Sequence, residues 1–157
     1  LLDVEDYGMV TMTIRNSHLK LWNTTKEDIY EKARHNTWCE LPGEFLSMSD
    51  LISELTGIRE KCPEEQMYVV TNKHRNYGAA VILYPDRLAG IALCLKENFY
   101  VIPSSVHEMI IVPESASPGR RILTEMLREV NETQVPDEEI LSDQVYYYDR
   151  KDQALHV

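Results

Sequence analysis

Phe99-Tyr100-Val101-Ile102-Pro103-Ser104-Ser105-Val106-His107-Glu108-Met109-Ile110-Ile111-Val112-Pro113 is the stretch on which the fold turns. Apolar, β-branched and aromatic residues crowd its two ends, which predicts strands over 99–102 and 107–112. The polar gap between them holds the hydroxyls of Ser104 and Ser105, the His107 imidazole and the Glu108 carboxylate. These four side chains form the candidate ligand or partner surface. On an extended strand residues two apart share a face, so Ser105 and His107 point the same way and Glu108 the other.

That geometry argues against a hydrolytic trio, whose base must touch both the nucleophile and an orienting acid. An acid from elsewhere, Asp86 or Asp143, would be needed. No G-x-S-x-G elbow accompanies Ser105. The competing reading is structural: Pro103 and the two serines shape a corner, with hydroxyls bonded to local backbone.

Outward from this segment the chain alternates hairpins and helices. Residues 1–4 and 8–15 read as a hairpin across Asp6-Tyr7-Gly8. Thr25 with Asp28 opens a helix through an acidic capping box, and Asn36 is its expected end. Ser47 or Ser49 caps a second helix that stops at Gly57. Met67–Thr71 reads as a strand and Gly78–Tyr84 as its hairpin partner. A helix follows Pro85 with Leu88, Ile91, Ala92 and Leu95 inward; Cys94, in the same pattern, reads as a small core residue. After 115–119 comes an amphipathic helix with Ile122, Leu123, Met126, Leu127 and Val130 facing the core. A short turn starts near Val135–Glu139, and Gln144–Tyr148 with 154–157 closes the chain as a hairpin. Tyr146 and Tyr148 share one face and Tyr147 takes the other. Trp22 and Trp38 flank the first helix and read as core anchors.

The pattern predicts an α+β fold: a mostly antiparallel sheet of β-hairpins alternating with helices in ββα-type units, with helices covering one face. At 157 residues the chain suits a single domain over 1–157, with a possible subdomain boundary near 58–65. The absence of an initial Met, and an opening on a strand end, suggest numbering that begins inside a longer polypeptide.

Composition narrows the function. Acidic residues outnumber basic ones 26 to 16, for a net charge of −10, and basic residues occur only in short separate patches. Nucleic acid and anionic membrane are therefore not expected partners. Nothing nears the roughly 18 consecutive apolar residues of a membrane span. Three dispersed cysteines, Cys39, Cys62 and Cys94, speak against disulfides or a zinc knuckle and for a reducing cytoplasm. His107-Glu108 starts like H-E-x-x-H, but Ile111 occupies the second histidine's place. No phosphate-cradling glycine motif occurs, so no metal and no cofactor is expected.

A resemblance adds to this. Gly78-Ala79-Ala80-x-Ile82-Leu83-Tyr84-Pro85, Phe99 to Glu108, Glu129-Val130-Asn131 and Leu141-Ser142-Asp143-x-Val145-Tyr146-x-Tyr148 resemble an uncharacterised bacterial family, domain of unknown function 5688, from gut anaerobic Firmicutes. Asn16-x-His18-Leu19-x-x-Trp22 and Ala33-x-x-Asn36-Thr37 match it too. The resemblance implies that this chain is the C-terminal half of a longer protein. Order and spacing are also similar, more faintly, to a second uncharacterised bacterial family. Neither brings an activity, cofactor or catalytic residue. The residues thus point to a non-catalytic cytoplasmic binding, interaction or regulatory module, its partner unidentified and a protein the candidate class. The alternative is a hydrolase with a pocket centred on Ser105 and His107.

Overall fold

A computed structural model describes residues 12–58 and 66–157, together with the backbone of 2–4 and 8–10. Residues 59–65, where most of the expected 58–65 boundary falls, and the turn at 5–7 lie outside the described residues. The chain divides into two compact units, Leu1–Cys39 and Glu40–Val157.

In the first unit β1 (Leu2–Val4) pairs antiparallel with β2 (Gly8–Val10), Asp3 opposite Met9. The strand is shorter than the expected run to Arg15, since residues 12–15 are irregular. α1 (Asn16–Trp22) ends on Asn23 in the left-handed conformation, and α2 spans Lys26–Glu40. The expected capping box opens α2. Thr25 Oγ1 accepts from the Asp28 amide at 3.1 Å, and Asp28 Oδ2 accepts from the Thr25 amide at 3.3 Å. The Thr25 hydroxyl also donates to that carboxylate, holding the Asp28 pKa down. Asn36 does not end the helix. Asparagine is a weak stop within a continuing helical sequence, and α2 runs on until Pro42 is near. Trp22 and Trp38 are not core anchors, at 45% and 51% exposed, and no residue of α1 or α2 is buried.

The second unit carries a six-stranded, wholly antiparallel sheet in the order β3-β4-β6-β5-β7-β8. Its strands are β3 (Gly43–Ser47), β4 (Tyr68–Asn72), β5 (Phe99–Ile102), β6 (Met109–Pro113), β7 (Tyr146–Asp149) and β8 (Ala154–His156). The fold is therefore α+β. β3, unforeseen in the sequence, leads into α3 (Met48–Thr56), which Ser47 caps by accepting the Asp50 amide at 3.0 Å. Gly57 ends α3 at φ 72°, a conformation that costs glycine nothing.

Alternation along β5 and β6 sorts side chains onto two faces. Phe99, Val101, Met109 and Ile111 join Val70 and Tyr148 on one face, under Ala79, Val81, Ile91 and Ala92. Tyr100, Ile102, Ile110 and Val112 point the other way, against Leu123 and Leu127 of α5 (Arg120–Thr133) and Val145. Helices thus cover both faces rather than one. The reason is that β5 and β6 are apolar at successive positions, so each face needs a lid. α5 buries only Leu123, Leu127 and Asn131; Ile122, Met126 and Val130 remain 39%, 49% and 42% exposed. Full burial of Phe99, stacked on Tyr148 at 4.9 Å, contributes on the order of 2–3 kcal/mol. The same burial raises the Tyr148 pKa. Tyr146 packs on this face with Tyr148, whereas Tyr147 lies opposite, 5.1 Å from the Tyr100 ring.

Gly78–Leu83 is a 3-10 helix, not the expected strand. Ala80 and Leu83 are exposed while Gly78 and Val81 are buried, a three-residue period that fits 3-10 geometry and not a pleat. It leads into α4 (Arg87–Leu95), where Ile91 and Ala92 are buried. Leu93 and Cys94 sit on the outward arc, so Cys94 is exposed and not a core residue. Among the described residues, no helix is long and apolar enough to cross a membrane.

Gly78 is where packing is tightest. A Cβ there would lie 2.2 Å from Thr71 Oγ1 and 2.6 Å from both the Asn72 amide nitrogen and the His107 carbonyl. Gly90, in α4, would meet nothing within 4 Å. Urea denaturation is expected to show Gly78→Ala destabilised by about 3 kcal/mol, because backbone cannot yield as a side chain can. Gly90→Ala is expected to stabilise by about 0.5–1 kcal/mol.

Candidate functional site

β5 ends at Ile102, the chain turns through 103–108, and β6 begins at Met109. Residues 103–108 are not strand, so His107 does not extend β6 as expected. Proline at 103 removes a ladder donor and is fully buried, and the following serines complete the turn by themselves. The Ser105 amide donates to the Glu108 carbonyl at 3.3 Å, and the His107 amide donates to Ser105 Oγ at 3.0 Å. The Ser105 hydroxyl in turn donates to Glu108 Oε1 at 2.9 Å. Ser105 is only 6% exposed.

The turn is also fastened to its surroundings. The Thr71 hydroxyl of β4 donates to the His107 carbonyl at 2.9 Å. The Ala79 amide, in the 3-10 helix, donates to the Val106 carbonyl at 3.3 Å. The Val106 amide donates to the carbonyl of Glu139 at 2.9 Å, in the 3-10 turn Asp137–Glu139. Tyr77, at φ 51°, donates its amide to His107 Nδ1 at 3.1 Å, and the two rings stand 5.5 Å apart. An Nδ1 that accepts a hydrogen bond carries no proton, which places the ring proton on Nε2. Nε2 lies 3.4 Å from Glu139 Oε1.

The sequence-derived pairing is therefore rearranged. Ser105 and His107 do not share a strand face. Ser105 meets Glu108 through its hydroxyl and His107 only through the backbone. The imidazole faces Tyr77 and Glu139. Asp143 instead accepts from Asn131 Nδ2 at 2.8 Å, and Asp86 stands at the start of α4. Glu139 and Thr71 escaped the sequence reading. Asp137-Glu138-Glu139 looks like any solvated helix start, and nothing local ties it to a segment some thirty residues earlier. Among the described residues no three His, Cys, Asp or Glu side chains gather as a metal-ligand set.

The adjoining loop is secured similarly. Asn72, 1% exposed, accepts the His74 and Asn76 amides on Oδ1, at 3.0 and 3.4 Å, and donates to the Asn76 carbonyl at 2.8 Å. It brings Tyr77 to where His107 can receive its amide.

Residues 1–150 match the family described as "Family of unknown function (DUF5688)". The chain belongs to that family, and the match covers nearly all of it. No curated protein and no solved structure matches it.

Replacing Ser105 by alanine removes a donor from Glu108 and an acceptor from the His107 amide. Chemical denaturation is expected to show a loss of about 1–2 kcal/mol. A change within experimental error would mean that water replaces both bonds at no cost.

Proposed function

We propose that the chain is a non-catalytic binding or interaction module of the cytoplasm. Its partner surface is the 103–108 corner: Ser104, His107 and Glu108 face the partner, and Ser105 is the buried group that positions them. One observation carries this reading. The Ser105 hydroxyl donates to Glu108 Oε1 and receives the His107 backbone amide, so the would-be nucleophile is not paired with the would-be base. A serine that is 6% exposed is also poorly placed to meet a substrate carbonyl. Ser104, His107 and Glu108 are partly exposed on a turn anchored at both ends, the rigid display that recognition favours. Free, exposed thiols at Cys39 and Cys94 suit a reducing compartment.

Two measurements test it. An aryl ester and a serine-directed fluorophosphonate are expected to react no faster with the native chain than with Ser105→Ala. Turnover that vanishes in that variant would make the protein a hydrolase. Ser104→Arg, which leaves every hydrogen bond described above intact, is expected to lose a partner that the native chain captures from its source cells. Undiminished capture by Ser104→Arg would remove the corner from the partner surface.

A further inference from the structure

His107 fastens two elements at once, one through each ring nitrogen. Nδ1 accepts the Tyr77 amide at 3.1 Å, and Nε2 stands 3.4 Å from Glu139 Oε1. The two contacts respond oppositely to a proton. The neutral ring with its hydrogen on Nε2 suits both. An imidazolium carries N–H on both nitrogens and accepts nothing. Nδ1 would then point a donor at the Tyr77 donor, which ends that bond, while the new charge strengthens the pairing with Glu139.

Tyr77 is the weakest-held position of its loop. Arg75 and Tyr77 take left-handed conformations, at φ 52° and 51°, which bulky side chains rarely adopt. The Arg75 guanidinium is paired with Glu54, and the Arg75 amide donates to the Asn72 carbonyl at 2.8 Å. The Asn72 side chain holds His74 and Asn76. The Tyr77 amide, by contrast, is held by His107 Nδ1, and the Tyr77 ring beside the imidazole is largely exposed. Release at this position leaves the bonds of Asn72 and the Ala79–Val106 bond untouched.

The titratable and charged groups around the ring come from three elements. The 137–139 turn brings Glu139, with Asp137 and Glu138 before it in the same turn. The loop after β4 brings Tyr77, and also carries Lys73, His74 and Arg75. In the ring's own turn the Glu108 carboxylate receives the Ser105 hydroxyl. β4 contributes the uncharged Thr71 hydroxyl, which bonds the His107 carbonyl. Among the described residues the ring's ion pair is with an acid, so a proton on the ring gains Glu139 and loses Tyr77.

We propose that His107 is a proton-operated latch: neutral, it ties the 73–77 loop to the corner, and protonated, it releases Tyr77 while keeping Glu139. The released Tyr77 backbone is free to leave its left-handed conformation, so acid alters the surface that Tyr77 and His107 share. The latch goes beyond the partner reading of the corner and operates in the free chain.

The test is a nuclear magnetic resonance titration of the whole chain from about pH 8 to about pH 5, the range in which histidine ordinarily changes charge. At the upper end the His107 ring is expected as the Nε2–H tautomer. As His107 protonates, the Tyr77 amide proton should move to a non-bonded shift with the same midpoint. Its exchange protection, corrected for the intrinsic effect of pH, should fall by up to about tenfold. Ala79 and Val106 should keep theirs. In His107→Asn, whose Oδ1 takes the place of Nδ1 and does not titrate, the Tyr77 amide should stay bonded throughout. His74→Gln should respond as the native chain does. A neutral ring protonated on Nδ1, a ring that stays neutral to the end of the titration, or a Tyr77 amide unmoved as His107 charges would each overturn the proposal. So would a Tyr77 response that persists in His107→Asn or vanishes in His74→Gln. None of these outcomes bears on partner capture by Ser104→Arg.

Discussion

At Gly78 two backbones come closer than any side chain would allow. The 3-10 helix rests there on the Thr71–Asn72 end of β4 and on the carbonyl of His107, with no room for even a methyl group. That approach lets Ala79 donate to Val106, Tyr77 donate to the His107 ring, and Ala79 and Val81 close the core over Phe99 and Val101. Buried backbone donors and acceptors left without partners are expensive, so the corner's polar groups must be satisfied from somewhere. β4, the 3-10 helix and the 137–139 turn supply them.

This explains why a cluster rich in catalytic residue types carries so little of the arrangement of catalysis. The Ser105 hydroxyl closes a local turn and the His107 imidazole is an acceptor for a loop amide. Proton transfer at Ser105 would cost a bond that closes the turn, and at His107 Nδ1 one that ties the turn to the Tyr77 amide. What remains exposed, in part, is the edge of the same turn at Ser104, His107 and Glu108.

Much of the fold was legible because the signals were local. The Thr25–Asp28 box, the Ser47 cap, Gly57 and the two strands flanking the corner, 99–102 as expected and the second starting at 109 rather than 107, each depend on neighbours in sequence. The failures share a different cause. Gly78–Leu83 reads as a strand in sequence because a short apolar run has no period until its burial is known, and its three-residue repeat arises from contact with β4. Cys94 and the exposed Ile122, Met126 and Val130 of α5 show how apolar content overstates the width of a buried face. The corner was found as a segment, but its wiring was not. The partners of His107 come from positions 71, 77 and 139, and sequence order holds no sign of them.

Native-state hydrogen exchange reads whether 103–108 is a fastened corner joining β4, the 3-10 helix and the 137–139 turn. The amides of Tyr77, Ala79, Val106 and His107 are each engaged in the bonds described, although the Tyr77 side chain is 54% exposed. All four are expected to exchange together, at rates approaching those of Val101 and Ile111 in the core strands. Exchange at these four amides as fast as in an unprotected loop, with β5 and β6 still protected, would contradict it.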